Sequence, residues 1–193
     1  MMTVILTGGA SRRMGRDKAT LPAGGGTMLE ALVRRYSSLG PVAVSVNRAG
    51  RFETYGALEL VDAYPGKGPL NGLYSAFSQT EEDTVFLTAT DLPMGDVNLA
   101  GHLVGKIVGH DACVIERRSG KLEPLFAAYR RSCLPKVKEC LDGGRLSFAG
   151  LLREINAMYI KESQLEDWDL DIVLMNVNTQ EDYEKYMGIR REK

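Results

Sequence analysis

Residues 3–18 read TVILTGGASRRMGRDK, and this stretch decides the fold. Thr3 to Thr7 is a short, mostly β-branched run that stops at Gly8-Gly9, the pattern of a buried strand. A loop follows that carries a third glycine, Gly15, and the basic side chains Arg12, Arg13, Arg16 and Lys18. A loop that leaves a central strand sits at the carboxyl edge of the sheet, where open α/β folds bind ligands. Glycines let backbone N–H groups approach an anion closely. Arginine gives phosphate a planar, multidentate partner and lysine a compact charge. The stretch therefore reads as a phosphate cradle in preference to a solvated basic surface loop. It is neither of the common cradles. In GxxxxGK[ST] the lysine directly follows the last glycine, whereas Lys18 lies three past Gly15, with no Ser or Thr after it; GxGxxG fails because the glycines are adjacent.

Outward from this stretch, strands alternate with helices. TMLEALVRRYSSLG (27–40) places Met28, Leu29, Leu32, Val33, Tyr36 and Leu39 on one helical face, with Thr27 and Glu30 at capping-box spacing and Gly40 as a stop. PVAVSVN (41–47) reads as the second strand and Leu58 to Val61 as the third. A helix starts in GKGPLNGLYSAF (66–77), where Pro69 suits the first turn. DTVFLTATD (83–91) is a strand running into Asp91; DACVIE (111–116) and PLFAAY (124–129) are two more. Helical segments are predicted near Cys133 to Leu141 and Phe148 to Glu154, a strand near Ile172 to Val177 to complete the sheet, and a final helix in TQEDYEKYM (179–187). The alternation predicts a single-domain, Rossmann-like, three-layer α/β fold over 1–193 with a mostly parallel sheet.

Composition narrows the function. With 24 basic and 25 acidic residues among 193, the net charge is -1, which argues against broad nucleic-acid binding and makes the basic loop a local feature. The three cysteines, Cys113, Cys133 and Cys140, form no CxxC pair, so neither a disulfide framework nor a zinc site is supported. The opening MMTVILT has no basic leader and no apolar run approaches membrane-spanning length, so a cytoplasmic location is expected, with no membrane partner.

LTGGASRRMGRDK (6–18) closely resembles the signature of small nucleotidyltransferases, roughly LxGGxSxRMGxDK, and within that superfamily the chain is most similar to the molybdenum cofactor guanylyltransferase family. Further segments match in order: SVNR (45–48), where the family often has Asn at the position of Ser45; LVDAYPGKGPLNG (60–72); ATDLP (89–93); LEPLFAAY (122–129), similar to a substrate-side strand; GGRLSFAGLL (143–152); and NVNTQED (176–182). The resemblance implies a nucleotidyltransferase-type fold, with about 1–100 binding nucleotide and about 101–193 binding the acceptor. It implies transfer of GMP from GTP to molybdopterin, forming molybdopterin guanine dinucleotide and releasing pyrophosphate, with Mg²⁺ as cofactor. Relatives that use CTP tend to have alanine where Gly8 stands, so the double glycine leans toward GTP. The alternatives are a molybdenum cofactor cytidylyltransferase or another transferase acting on a small-molecule phosphate. Molybdoenzymes or other cofactor-biosynthesis proteins are the partners implied, and a monomer or weak oligomer the state.

In such a reaction the protein positions phosphates and neutralises developing charge. Asp91, emerging from an apolar strand, is the candidate Mg²⁺ ligand, and one carboxylate suffices when phosphates and waters complete the shell; an Asp in a turn before Leu92-Pro93 is the competing reading. Lys18 and Arg12 are candidates for the triphosphate, so Lys18, Asp91 and Arg12 form the candidate catalytic set. Leu6, Thr7, Gly8, Gly9, Ser45, Asn47, Asp62, Gly68 and Leu70 complete the nucleotide site with Lys18 and Asp91. Asp62 is the acceptor to test against guanine N1–H and N2–H₂, with a strand-end turn as its competing role. Arg145, Asn176 and Asn178 are candidates for the acceptor side, against the reading that Thr179 and Asp182 merely cap the last helix. No role is given to His102 or His110, and Trp168 is expected to dock its acidic segment onto the core.

Overall fold

A computed structural model of the chain describes residues 1–7 and 17–191. Its strands are β1 (Met2–Leu6), β2 (Val42–Val46), β3 (Leu58–Val61), β4 (Thr84–Ala89), β5 (Ala112–Glu116), β6 (Leu122–Arg130) and β7 (Ala157–Lys161). They form one sheet in the order β3-β2-β1-β4-β6-β5-β7. The pairs β1–β2, β1–β4, β2–β3 and β5–β7 are parallel, and only β6 runs against its neighbours. The helices are α1 (Met28–Tyr36), α2 (Pro69–Gln79), α3 (Val97–Lys106), α4 (Leu134–Asp142), α5 (Phe148–Leu152), α6 (Leu170–Val173) and α7 (Gln180–Arg191).

Strand alternation sends successive side chains to opposite faces. Ile5, Val44, Phe86 and Phe126 pack against Leu29, Leu32 and Tyr36 of α1 and Leu99 and Leu103 of α3. Val4, Leu6, Leu87 and Tyr129 face Leu70, Leu73 and Phe77 of α2, Val137 and Leu141 of α4 and Leu151 of α5. Covering both faces is what makes β1 and β2 buried along their full length. The expected cap of α1 is present: Glu30 N donates to Thr27 Oγ1 at 3.1 Å.

Three elements differ from the sequence reading. Ile172 to Val177 is not a strand. Asp169 caps a short helical turn, accepting from Asp171 N and Ile172 N at 3.1 and 3.2 Å, and forms α6. Val173, Leu174 and Val177 are apolar because they are buried in the core, not because they pair. The sheet is completed instead by β7, an edge strand whose side chains are mostly only partly buried and whose apolar signal is therefore weak. Helix α3 was also unread; Asp96 caps it, accepting from Leu99 N at 2.8 Å. The same Asp96 oxygen accepts from Trp168 Nε1 at 3.1 Å, which docks the acidic segment onto the core as expected.

Helix α2 lies very close to the ends of β1 and β2. A Cβ built on Gly72 would stand 2.2 Å from Leu6 Cδ2 and 3.2 Å from Ser45 Oγ. Gly72→Ala is therefore expected to destabilise the protein by about 1–3 kcal/mol through overpacking. Calorimetry should record this as a fall in Tm of roughly 2–4 °C per kcal/mol.

Candidate active site

The carboxyl ends of β1, β2, β3 and β4 share one edge of the sheet. The chain leaves β1 toward β2 on one side, while β4 pairs on the other, so the sheet has its topological switch point beside β1. The end of β1 is clamped there. Thr7 N and Oγ1 both donate to Ser45 O, at 3.3 and 2.6 Å. Thr90 N donates to Leu6 O at 3.0 Å. Gly8, Gly9 and Arg12 lie outside the described residues.

The chain is described again from Asp17, which caps a single 3-10 turn at Lys18–Thr20 by accepting from Ala19 N at 3.2 Å. Arg51 joins this turn to the loop after β2, donating to Asp17 Oδ2 and to Asn47 Oδ1, both at 2.7 Å. Asn47 is thus held at the edge through Arg51. Ser45 Oγ donates to Asp62 Oδ1 at 3.1 Å, and Asp62 N donates to Val46 O at 2.8 Å. Burial pushes the half-buried Asp62 carboxyl above its ordinary value, against the opposing effects of the Ser45 hydroxyl and the Arg51 charge. An ionised carboxylate offers hydrogen-bond acceptors only.

Two residues not singled out in the sequence set the path after Asp62. Asn71 Oδ1 accepts from Tyr64 N at 2.8 Å, and Ser75 Oγ accepts from Ala63 N at 3.0 Å. Both are buried polar residues on α2, and an internal polar residue beside the GPLNG start was the available signal. Gly68 precedes the helix with φ of +70°, a left-handed conformation that favours glycine and turns the chain into Pro69. Leu70 is fully buried against the sheet and supports this start through packing.

Asp91 follows β4 at the same edge. Its Oδ1 is buried with no hydrogen-bond partner among the described residues. Burial raises its carboxyl above the ordinary value, while the Lys18 ammonium and, more weakly, Lys121 pull it back. The C-terminal segment closes over this point. Val177 N donates to Asp91 O at 2.9 Å, and Lys18 Nζ donates to Asn178 Oδ1 at 2.7 Å. Asp182 accepts from Asn178 N and Thr179 N, at 2.9 and 2.8 Å, and Asp182 N donates to Thr179 Oγ1 at 3.1 Å. The capping box and a place for Asn178 at the site therefore coexist. The backbone N–H of Asn178 leads the contacts that hold the Asp182 carboxyl below its ordinary value.

Asn176 and Arg145 are placed differently. Asn176 Nδ2 donates to Leu174 O at 3.4 Å, within its own segment. Arg145 donates to Glu139 at 2.8 Å and lies 3.7 Å from Glu154. Its loop is tied toward the edge by Tyr64, whose hydroxyl donates to Asp142 at 3.0 Å. His102 stacks near Trp168 with ring centroids 5.5 Å apart.

An orphaned, buried carboxylate oxygen beside a phosphate-type cradle suits a hard divalent cation. Among the described residues no group of three or more His, Cys, Asp or Glu side chains could enclose a metal, so the donor set fits a cation that takes the rest of its shell from phosphates and water.

The chain is similar to known proteins along its whole length. Over 193 residues the chain is 33% identical to a probable molybdenum cofactor guanylyltransferase of Carboxydothermus hydrogenoformans, covering 98% of this chain and 96% of that protein. Its fold matches molybdopterin-guanine dinucleotide biosynthesis protein A from Archaeoglobus fulgidus at a TM-score of 0.86 and 23% identity, over 100% of both chains. It also matches 2-C-methyl-D-erythritol 4-phosphate cytidylyltransferase from Thermus thermophilus at a TM-score of 0.71 and 13% identity, over 97% and 98% of the two chains. The relatives and the family match define a nucleotidyltransferase. More narrowly, residues 3–157 match the MobA-like NTP transferase domain, and the chain belongs to that family.

Two outcomes follow from this geometry. Asp91→Asn removes a buried charge and is expected to raise the Tm of the ligand-free protein at pH 7 by about 2–4 °C, on the order of 1 kcal/mol, while lowering turnover about 100-fold or more. The raised carboxyl means that the native state carries the charged form at a cost above its folded pKa. The gain should be full there and shrink as pH falls toward the unfolded value near 4, which melting curves across pH will check. Asn178→Ala is expected to raise the nucleotide KM roughly tenfold by releasing Lys18 from a charge-assisted hydrogen bond, whereas Asn176→Ala leaves it within about twofold; steady-state kinetics distinguishes the two.

Proposed function

We propose that this chain transfers GMP from GTP to molybdopterin, making molybdopterin guanine dinucleotide and pyrophosphate, with Mg²⁺ as the divalent cation. The observation that carries the reading is the convergence of Lys18, Asp91 and the Ser45-held Asp62 on one sheet edge. The curated relative's name, which specifies guanylyl transfer to the molybdenum cofactor, supports the choice of substrates.

In the proposed reaction an oxygen of the acceptor phosphate bonds to the α-phosphorus of GTP, and the bond from that phosphorus to the pyrophosphate oxygen breaks. Asp91 would hold the Mg²⁺, which when bound neutralises charge on the triphosphate. Lys18 donates to the phosphate tail, and the loop carrying Gly8, Gly9 and Arg12 supplies further N–H and guanidinium donors. Leu6 and Thr7 present backbone at the nucleotide. Asp62 receives the base: guanine offers N1–H and N2–H₂ as adjacent donors to one carboxylate, whereas cytosine offers N4–H₂ alone. The fold does not choose between the bases, because a cytidylyltransferase shares it; the carboxylate favours guanine. The β1–β3 side of Asp91 serves the nucleotide and the β5–β6 side the acceptor. A cytoplasmic setting is supported by three buried free cysteines, Cys113, Cys133 and Cys140, and among the described residues no helix is long and apolar enough to cross a membrane.

Thermal shift with each nucleotide plus Mg²⁺ tests the base. GTP at 100 times its Kd should stabilise the protein by about 2.7 kcal/mol, and Asp62→Asn should remove most of the difference between GTP and CTP. Preferential stabilisation by CTP overturns the guanine assignment.

A further inference from the structure

We propose that Lys121, held by Glu123, receives the phosphate monoester of the acceptor, the group whose oxygen attacks the nucleotide. This rests on the reading above and assigns the second half of the same site.

Glu123 is the one charged side chain among the described residues to fall in the buried class, at 7% exposure. A buried carboxylate is costly unless paired, and Glu123 Oε1 lies 2.9 Å from Lys121 Nζ. The pair is asymmetric: the lysine side chain is 61% exposed. The carboxylate is therefore the fixed member, and it holds an ammonium at the rim that remains open to an incoming anion.

The sheet puts this pair beside Asp91. β4 and β6 are antiparallel neighbours with Leu87 opposite Ala127. Asp91 follows the end of β4, and Glu123 is the second residue of β6, which runs antiparallel to β4, so both stand at the same edge. Lys121 leads into β6 from a tight hairpin closed by Arg117 N to Lys121 O and Gly120 N to Arg117 O, both at 2.8 Å. Arg117 is itself anchored to Glu162 at 2.8 Å and to Asp171. The lysine backbone is thus set by a braced turn. Its charge reaches the Asp91 carboxyl from the β6 side, as that of Lys18 does from the cradle.

The chemistry calls for such a group. Two phosphate-bearing reactants must meet, and an anionic nucleophile approaching a triphosphate is repelled without a cation of its own. Lys121 donates to the non-attacking oxygens of the acceptor phosphate. The remaining anionic oxygen bonds to the α-phosphorus, and pyrophosphate leaves with the electron pair of the broken bond. Lys121 stays protonated throughout. Glu123 is a positioning residue that acts through Lys121.

The experiment uses the full chain with Lys121→Ala, Lys121→Arg and Glu123→Gln. It reads the KM for molybdopterin, the KM for GTP, and GTP binding by calorimetry. Lys121→Ala is expected to raise the acceptor KM at least tenfold, with both GTP readouts within twofold of wild type. Lys121→Arg should recover most of that loss, which a merely structural role for the pair would not produce. Glu123→Gln should act in the same direction, and because Lys121 is exposed its variants keep the test valid if Glu123→Gln does not fold. An unchanged acceptor KM in Lys121→Ala, or an equal loss in GTP affinity, overturns the assignment. If the wild type uses a different phosphate acceptor, and the KM for that compound rises in Lys121→Ala, the site stands and only the molybdopterin reading falls. A wild type that transfers GMP to no phosphate monoester overturns both.

Discussion

The parallel pairing of β1 with β4, finished by the hydrogen bond from Thr90 N to Leu6 O at 3.0 Å, is the constraint on which the site depends. It brings two chain segments more than 80 residues apart in sequence to one edge, with the glycine loop leaving one and Asp91 leaving the other. Because both strands are buried on both faces, neither can slip by one residue without sending its apolar set to the wrong layer. The position of Asp91 relative to the end of β1 is therefore fixed by core packing. The hydroxyl and amide of Thr7 add a lateral restraint toward β2, and the close approach of α2 over Gly72 restrains the same point from the helical layer.

Around that edge the protein carries charges that work against its own stability. Asp91 holds a buried oxygen without a partner among the described residues, Asp62 is a half-buried carboxylate, and Glu123 is buried beside Lys121. Each costs desolvation that an apolar residue would avoid. Elsewhere helix starts are capped at Thr27, Asp96 and Asp169. Carboxylates held at a desolvation cost along one edge are where function is expected to reside.

What the sequence made legible was local. The run Thr3 to Thr7, the glycines after it, the Thr27–Glu30 cap and the apolar strand before Asp91 all carry their meaning within a few residues. Elements whose cause is tertiary were not legible. Ile172 to Val177 looked like a strand because its side chains are apolar, but they pack into the core without pairing in the sheet. β7 lacked contrast because an edge strand buries little. The contact of Lys18 with Asn178 spans 160 positions, and no spacing rule announces it. Glu123 was not singled out in the sequence, since its burial is a tertiary property. Asp182 was the intermediate case, since its capping-box spacing was readable while the asparagine it orders was not.

That last contact changes how the chain divides. The sheet has β1–β3 on one side of β4 and β5–β7 on the other, the division that a nucleotide half and an acceptor half split near residue 100 would follow. That division does not describe the chemistry. After β7 the chain returns across the edge, places Val177 N on the carbonyl of Asp91 and Asn178 on the ammonium of Lys18, and buries Tyr186 of α7 with Leu21 and Met28 just past the cradle. The end of the acceptor half thus braces the two groups assigned to the nucleotide. A lysine on a four-carbon stem has too many rotamers to present its charge reproducibly to a phosphate. A neutral amide acceptor restricts it without neutralising it, which a carboxylate at the same position would do. Asp91 and Asp182 already place two carboxylates within electrostatic reach of Lys18, so a neutral amide at the point of direct contact orients the ammonium without adding a further negative charge for the triphosphate to displace.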